Sequence, residues 1–143
     1  MIRKAEISDL EKIVSLEEKI FGHTLGYAFL KQELLENEFS RIFVYTDRFQ
    51  IKGYISYRVV DKNADILNFL VDDAFQSLGI GSQLFEYVLL EMKLEGVTSL
   101  ILEVRESNQK AINFYTKYGA IQIHKLRNYY LTEDALIMTL EVK

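Results

Sequence analysis

The sequence predicts a mixed α/β protein: a mostly antiparallel central sheet, flanked by helices, with one pair of neighbouring parallel strands. Apolar residues recur with a helical period in four segments, and short β-rich runs precede, separate and follow them. In the middle of the chain a strand, a helix and another strand follow in order, which is the pattern of a right-handed crossover between parallel strands. Toward both ends, consecutive strands are separated by short turns, which favours antiparallel pairs.

The first half of the chain contains two predicted helices and several strands. SDLEKIVSLEEKIF begins with Ser8 and has Glu11 three residues later, which is the pattern of a capping box. Gly22 and Gly26 interrupt the helical pattern after it. The predicted elements are a strand before the first helix, helices at 8–21 and 27–36, and strands at 41–46, 51–60 and 64–71, with a turn near 47–50.

The second half alternates helices and strands. GSQLFEYVLLEMKLEG has an apolar face at helical spacing, with Gly96 at its end. TSLILEV is almost continuously apolar, which predicts a central strand covered on both faces. Asn108 is expected to cap the next helix, and Gly119 to end it. The predicted elements are helices at 81–96 and 108–119 and strands at 98–104, 120–126 and 133–142.

Composition narrows the classes of function. The 143 residues contain no repeat or linker, so we expect one domain covering residues 1–143. Cysteine is absent, and the two histidines, His23 and His124, are far apart in sequence, so we expect no metal site and no thiol nucleophile. The net charge of −4 argues against nucleic acid as a partner. No apolar run approaches the ~20 residues of a membrane span, and no signal peptide is evident, so we expect a cytoplasmic protein.

The segment QSLGIGS, residues 76–82, joins a predicted strand to a predicted helix. Gly79 and Gly81 allow the backbone to approach a ligand closely, and the free N–H groups at a helix start suit a phosphate. A P-loop needs a lysine after the second glycine, and a dinucleotide-binding loop needs a third glycine where Leu84 stands. Spacing alone therefore leaves two interpretations: a tight turn, or a phosphate site of another kind.

The same segment resembles the [Q/R]-x-x-G-x-[G/A] acetyl-CoA loop of the GNAT acetyltransferase superfamily. Downstream, LILEVRESNQKAINFYTKYGA (100–120) is similar to the superfamily signature L-x-V-x-x-x-N-x-x-A-x-x-[F/L]-Y-x-x-x-G-F. RNYYLTEDALIM (127–138) resembles the end of the RimI type, the ribosomal-protein alanine N-acetyltransferases. The resemblance implies the GNAT fold, with a splayed parallel strand pair, and acetyl-CoA as co-substrate.

The resemblance also implies which residues contact acetyl-CoA. The pantetheine arm would pair with the backbone from Phe69 to Val71, between splayed strands, and the Val71 N–H would polarise the thioester carbonyl. The x positions of the loop contain no basic residue, so phosphate binding would depend on backbone amides, with Lys110 and Lys117 as helpers or as ordinary solvated side chains. The expected cofactor residues are Phe69, Leu70, Val71, Gln76, Ser77, Leu78, Gly79, Ile80, Gly81, Ser82 and Asn108.

Two residues are candidates for the chemistry of acetyl transfer. Strand alternation places Glu103 and Arg105 on one face, so an ion pair between them is the structural alternative to catalysis. The resemblance implies that Glu103 is the general base, acting through a water. Tyr115 shares a helix face with Phe114 and Tyr118, which predicts core packing, whereas the resemblance implies that it protonates the departing CoA thiolate. An N-terminal amine, with a pKa of about 7.7–8.0, needs only a modest base.

The acceptor side is the least determined by the sequence. Tyr129 and Tyr130 are predicted in a short polar connection between the last two strands, where they would form a wall for a peptide N-terminus or an ordinary strand-end pair. His23 lies in a predicted loop facing the same site, and this chain has His23-Thr24-Leu25 where RimI-type proteins usually have a Pro-Trp-Ser-like segment. By resemblance, the acceptor is the N-terminal alanine of a small-subunit ribosomal protein. A small-molecule amine as acceptor, or an acyl-CoA-binding protein without catalysis, are the alternatives.

Overall fold

In the computed structural model, which describes residues 1–143, seven strands form one sheet in the order 1-2-3-4-5-7-6. The strands are β1 (Ile2–Lys4), β2 (Ser40–Asp47), β3 (Gln50–Val60), β4 (Asn63–Val71), β5 (Ser99–Arg105), β6 (Ile121–Tyr130) and β7 (Glu133–Glu141). The helices are α1 (Leu10–Phe21), α2 (Tyr27–Leu35), α3 (Ile80–Leu94) and α4 (Gln109–Lys117). Only β4 and β5 run parallel, so the predicted mixed, mostly antiparallel sheet is confirmed.

The parallel pair separates soon after it forms. β4 and β5 are in register only at Asn63↔Ser99, Ala64↔Leu100 and Asp65↔Ile101. Both strands then continue, β4 to Val71 and β5 to Arg105, without a ladder between them. The edge of β4 that faces β5 is therefore unpaired beyond Asp65, and this is the splayed arrangement that the resemblance implies.

Each face of the sheet has its own apolar core. α3 and α4 cover one face, where Leu84, Phe85 and Val88 pack in one cluster with Leu100 and Leu102 of β5. α1 and α2 cover the opposite face. Their cluster joins side chains of both helices to side chains of β2, β3 and β4: Leu10, Ile13, Leu16, Leu30, Ile42, Val44, Ile51, Tyr54 and Leu70. No helix combines the length and apolarity that crossing a bilayer requires.

β5 is covered on one face only, so the prediction of a strand buried on both faces is wrong. Leu100, Leu102 and Val104 are buried against α3 and α4, whereas Ile101, Glu103 and Arg105 are exposed. On that second face the helices α1 and α2 pack on β2 and β3, which leaves the outer side of β5 open. The apolar run led to the wrong prediction because it includes Ile101, which is 37% exposed. The sequence alone does not distinguish an exposed isoleucine from a buried one.

Two element boundaries also differ from the predictions. Ser8 does not cap α1: a 3-10 turn, Ile7–Asp9, precedes the helix, and the Glu6 N–H donates to the Asp9 carboxylate at 2.7 Å. Tyr129 and Tyr130 lie within β6, not in a connection, because β6 pairs with β7 as far as Tyr130↔Glu133. Aromatic residues favour strands, which is consistent with this extension.

Candidate active site

A cavity of about 410 Å³ lies at the end of β4, between α1, the segment that leads into α3, and α4. Ten of the eleven residues predicted at the cofactor line it, and only Leu78, which is 65% exposed, lies outside. Tyr115 and Lys110 line it as well. The other lining residues are not among those predicted at the cofactor: Ile20, Phe21, Phe75, Ala111 and Phe114. Ile20 and Phe21 come from α1, whose contact with this region no local pattern indicates.

The backbone leading into α3 provides a run of free hydrogen-bond donors. None of the six N–H groups of residues 77–82 donates to another group of the chain. The first bond of the helix is donated by Gln83 to the carbonyl of Gly79, at 3.0 Å. Free N–H groups at a helix N-terminus add to the positive end of the helix dipole. The arrangement can bind a phosphate group.

The two glycines of this segment differ in backbone conformation and in the space around them. Gly79 precedes α3 in the left-handed region, with φ +82°, where a side chain would be strained. A Cβ on Gly81 would lie 3.6 Å from Val71 Cγ2 and 3.9 Å from Phe114 Cε2, which are ordinary contacts. The backbone conformation therefore favours glycine at position 79, whereas at position 81 the protein itself has room for an alanine.

Gln76 connects the segment to the strand before it and to α4. Its side-chain amide donates to the Val71 carbonyl at 3.1 Å, and its side-chain oxygen accepts from Lys110 Nζ at 3.2 Å. Lys110 is the one cationic residue among those that line the cavity. It supplies the positive charge that the loop itself lacks.

The backbone of Val71 faces the gap between the splayed strands. The N–H of the next residue, Asp72, donates to the Lys52 carbonyl at 2.8 Å, on the side of β3. Because successive residues of a strand direct their backbone groups to opposite sides, the N–H and carbonyl of Val71 point away from β3. The Val71 N–H is thus available to a ligand in the gap.

Tyr115 is a buried phenol in the wall of the cavity. It is 8% exposed, and its ring packs edge-on against Phe85 and Phe114 at centroid distances of 5.6 and 5.4 Å. Burial raises the pKa of the Tyr115 phenol well above its usual range. The hydroxyl therefore keeps its proton through the neutral pH range and can act as a hydrogen-bond donor.

Glu103 lies outside this cavity, on the open face of β5. Its carboxylate accepts a hydrogen bond from the Tyr130 hydroxyl. Arg105, the partner considered for it, instead lies over the Tyr130 ring at 3.8 Å from its centroid and pairs with Glu133 at 3.6 Å. The structure thus shows no Glu103–Arg105 ion pair, and Tyr130 is a partner of Glu103 that no sequence pattern indicates. Burial, with the hydrogen bond to Glu103, raises the pKa of Tyr130 well above its usual range.

The predicted acceptor residues form two separate groups. Tyr129 stacks on Tyr130 at 5.2 Å between ring centroids, so both tyrosines lie with Glu103 near the end of β6. His23 lies in the connection between α1 and α2, and its ring stacks on Phe21, which lines the cavity, at 6.2 Å. The candidate site is therefore one cavity with Tyr115 in its wall, one cluster around Glu103, and a loop beside the cavity. No group of three or more His, Cys, Asp or Glu side chains is arranged to hold a metal ion.

Comparison with known proteins identifies relatives over most of the chain. The model of the acetyltransferase (GNAT) family matches residues 7–120. The [ribosomal protein bS18]-alanine N-acetyltransferase of Escherichia coli (strain K12) is 35% identical over 129 residues, which are 87% of this chain and 80% of that protein. An N-alpha-acetyltransferase of Sulfurisphaera tokodaii is 30% identical over 151 residues, covering 96% of this chain and 90% of the relative.

Solved structures agree with these relatives. The ribosomal-protein-S18-alanine N-acetyltransferase from Escherichia coli superposes with a TM-score of 0.92 at 29% identity, covering 100% of this chain and 94% of that one. Ard1 from Thermoplasma volcanium superposes with a TM-score of 0.91 at 30% identity, covering 100% and 97% of the two chains. The similarity thus includes the strands and helices that form the cavity.

Proposed function

The chain belongs to the acetyltransferase (GNAT) family, and on that premise we propose that it transfers an acetyl group from acetyl-CoA to a protein N-terminal amine. The acceptor we propose is the N-terminal alanine of a ribosomal protein of the S18 kind. Two relatives carry names that specify an α-amine, one as an alanine N-acetyltransferase and one as an N-alpha-acetyltransferase. The observation that carries the proposal is the cavity at the end of β4, with the free N–H groups of residues 77–82 at its border.

The donors around the cavity fit acetyl-CoA. The N–H groups of residues 77–82 and the ammonium of Lys110 would bind the pyrophosphate. The Val71 N–H would donate to the thioester carbonyl, where negative charge develops when the amine attacks. The aromatic lining, which includes Phe21, Phe69 and Phe114, would exclude water from the thioester.

In the proposed mechanism Tyr115 is the general acid. The amine nitrogen attacks the thioester carbonyl carbon, the C–S bond breaks, and the sulfur leaves as a thiolate. The phenol of Tyr115 gives its proton to that thiolate, which is supported by the position of this residue in the cavity wall.

Glu103 is the proposed general base. Its carboxylate is exposed and outside the cofactor cavity, which suits removal of the amine proton through a bridging water. An N-terminal amine has a pKa of about 7.7–8.0, against about 10.4 for a lysine side chain, so a carboxylate relay is sufficient for the former. Tyr129 and Tyr130 would contact the peptide on this side, and His23 would contact it from the loop beside the cavity.

The proposal is tested by measuring CoA release with a peptide that begins with alanine and contains an internal lysine. The matched control is the same peptide with a blocked N-terminus. We expect turnover with the free peptide only, and mass spectrometry should find the acetyl group on the α-amine.

Other outcomes would support the alternatives. Preference for a small amine over the peptide would favour the second acceptor class, for which the unusual His23-Thr24-Leu25 segment is the supporting observation. Binding of acetyl-CoA without turnover on any amine would favour a non-catalytic acyl-CoA-binding protein.

A further inference from the structure

A carboxylate that has no part in the proposed chemistry is buried beside the cavity. Glu17, on α1, is 0% exposed. Its two oxygens accept hydrogen bonds from four groups: Thr24 Oγ1 (2.5 Å), the Leu25 N–H (3.2 Å), Asn68 Nδ2 (2.6 Å) and the Tyr54 hydroxyl. A buried charge is costly unless it is paired and hydrogen-bonded, so these contacts are required where Glu17 is ionised.

The four donors come from two different parts of the fold. One Glu17 oxygen accepts from Thr24 and Leu25, in the loop of residues 22–26 between α1 and α2. The other accepts from Tyr54 on β3 and Asn68 on β4. The carboxylate therefore bridges the α1–α2 loop to the two strands.

Both ends of this bridge adjoin the cavity. Asn68 directly precedes Phe69, and the loop directly follows Phe21, both of which line the cavity. The Gly26 N–H donates to Thr24 Oγ1 at 3.0 Å, so the bond between Thr24 and Glu17 also fixes the point where α2 begins. The bridge therefore holds the loop in place next to the cavity.

Glu17 differs from the other buried carboxylates of the chain. Each of the others is paired with a cation: Asp9 with Arg3, Glu33 with Arg58 and Asp72 with Lys19. Glu17 is held by neutral donors alone, and half of them belong to the loop. Burial and the nearby Glu17 charge raise the pKa of Tyr54 above its usual range, so this hydroxyl keeps its proton and remains a donor.

We propose that Glu17 is a positioning residue that fixes the α1–α2 loop against β3 and β4 and thereby shapes the acceptor side of the site. The link to the acceptor rests on the proposed function, because it takes the loop with His23 as part of the peptide-binding surface. The link between Glu17 and the loop rests only on the hydrogen bonds described above.

The first test compares Glu17→Gln with Glu33→Gln, a matched change at a second buried carboxylate whose partners, Arg58 and Asn37, do not line the cavity. A glutamine presents an NH₂ where two donors now point, so the loop or a strand partner must move. We expect Glu17→Gln to raise the peptide KM by about tenfold to a hundredfold while the acetyl-CoA KM changes little. Glu33→Gln should leave both constants near wild type. An unchanged peptide KM in folded Glu17→Gln would overturn the proposal.

A second variant keeps the test valid if Glu17→Gln does not fold. Thr24→Ala removes one of the two loop donors to Glu17 together with the acceptor of the Gly26 N–H bond, whereas Thr24→Ser keeps a hydroxyl in place. We expect Thr24→Ala to raise the peptide KM and Thr24→Ser to restore it. Equal constants for the alanine and serine variants would count against a positioning role.

Hydrogen exchange tests the bridge without any acceptor. The Leu25 N–H donates to Glu17 directly, so its exchange rate reports the bond. We expect faster exchange of residues 22–26 in Glu17→Gln and Thr24→Ala than in wild type or Glu33→Gln. If exchange is faster in these variants but the wild-type protein does not acetylate the peptide, the proposed function is contradicted and the Glu17 bridge is supported. If exchange is unchanged and the wild-type protein does acetylate the peptide, the bridge is contradicted and the proposed function is supported.

Discussion

The cofactor side and the acceptor side of the candidate site are built from different parts of the polypeptide. On the cofactor side the donors are mainly backbone N–H groups, those of residues 77–82 and of Val71, which are close in sequence. On the acceptor side they are side chains from distant positions, such as Tyr130 with Glu103 and Asn68 with Glu17. Backbone donors survive most substitutions, whereas a side-chain network fails when one member is replaced. Single side-chain changes should therefore have their largest effects on the acceptor side and at Tyr115.

Replacing Glu103 is expected to have the largest effect. Glu103→Gln removes the proposed base and keeps the size of the side chain, so kcat/KM should fall by about 10²–10⁴-fold. Binding of CoA, measured by calorimetry, should be unchanged because Glu103 does not line the cavity. Glu106→Gln is the control, since Glu106 is an exposed carboxylate paired with Lys125 at 2.8 Å. Activity of Glu103→Gln equal to that of the control would exclude Glu103 as the base.

Replacing Tyr115 tests the cavity wall itself. Tyr115→Phe keeps the ring in its aromatic cluster and removes only the proton donor, so kcat should fall by about 10²-fold with little change in either KM. Tyr118→Phe is the matched control, because Tyr118 belongs to the same cluster, 4.9 Å from Phe85 between ring centroids. If the two variants lost activity equally, packing rather than proton transfer would explain the loss.

Alanine substitutions at Gly79 and Gly81 should distinguish the effect of backbone conformation from the effect of space for a side chain. Gly79→Ala places a side chain at φ +82°, at a cost of about 1–2 kcal/mol, and displaces the neighbouring N–H groups. We expect a lower free energy of unfolding in urea and an acetyl-CoA KM raised by about tenfold, which corresponds to about 1.4 kcal/mol. Gly81→Ala should be nearly neutral in stability, since its Cβ meets nothing closer than 3.6 Å. Equal losses of stability in both variants would contradict this division.

Ten of the eleven residues predicted at the cofactor lie together at one cavity, and most of them belong to a local motif. Segment 76–82 follows a strand and opens a helix, and Asn108 caps α4 by accepting from the Ala111 N–H at 3.1 Å, as expected. These features depend on neighbours within a few residues. Phe21 was not assigned to the cavity, because it reaches this region only when α1 packs on the sheet.

The contacts of Glu103 and Glu17 could not be predicted from the sequence because they are long-range. Tyr130 bonds Glu103 across 27 positions of the chain, and Glu17 bonds Asn68 across 51. Hydrophobic periodicity indicates which faces of an element are apolar, but it does not indicate which helix covers them. The prediction that β5 is covered on both faces failed for this reason. In the same way, nothing local distinguishes Glu17 from the solvent-exposed Glu18 beside it.

Replacing Lys110 should have the smallest effect and shows how far the cofactor side depends on a side chain. Lys110 is exposed, so its attraction for a phosphate is weakened by water and by salt. We expect Lys110→Ala to raise the acetyl-CoA KM by about twofold to fivefold at low ionic strength, and the difference to disappear near 1 M salt, where the Debye length is about 3 Å. Lys117→Ala, on the same helix but outside the cavity lining, should match wild type. CoA also has a 3′-phosphate, which Lys110 could contact instead of the pyrophosphate. Repeating the measurement with acetyl-3′-dephospho-CoA distinguishes these contacts: an undiminished Lys110 effect assigns the contact to the pyrophosphate. A loss larger than that of Gly79→Ala would show that this side chain, rather than the backbone N–H groups, dominates phosphate binding.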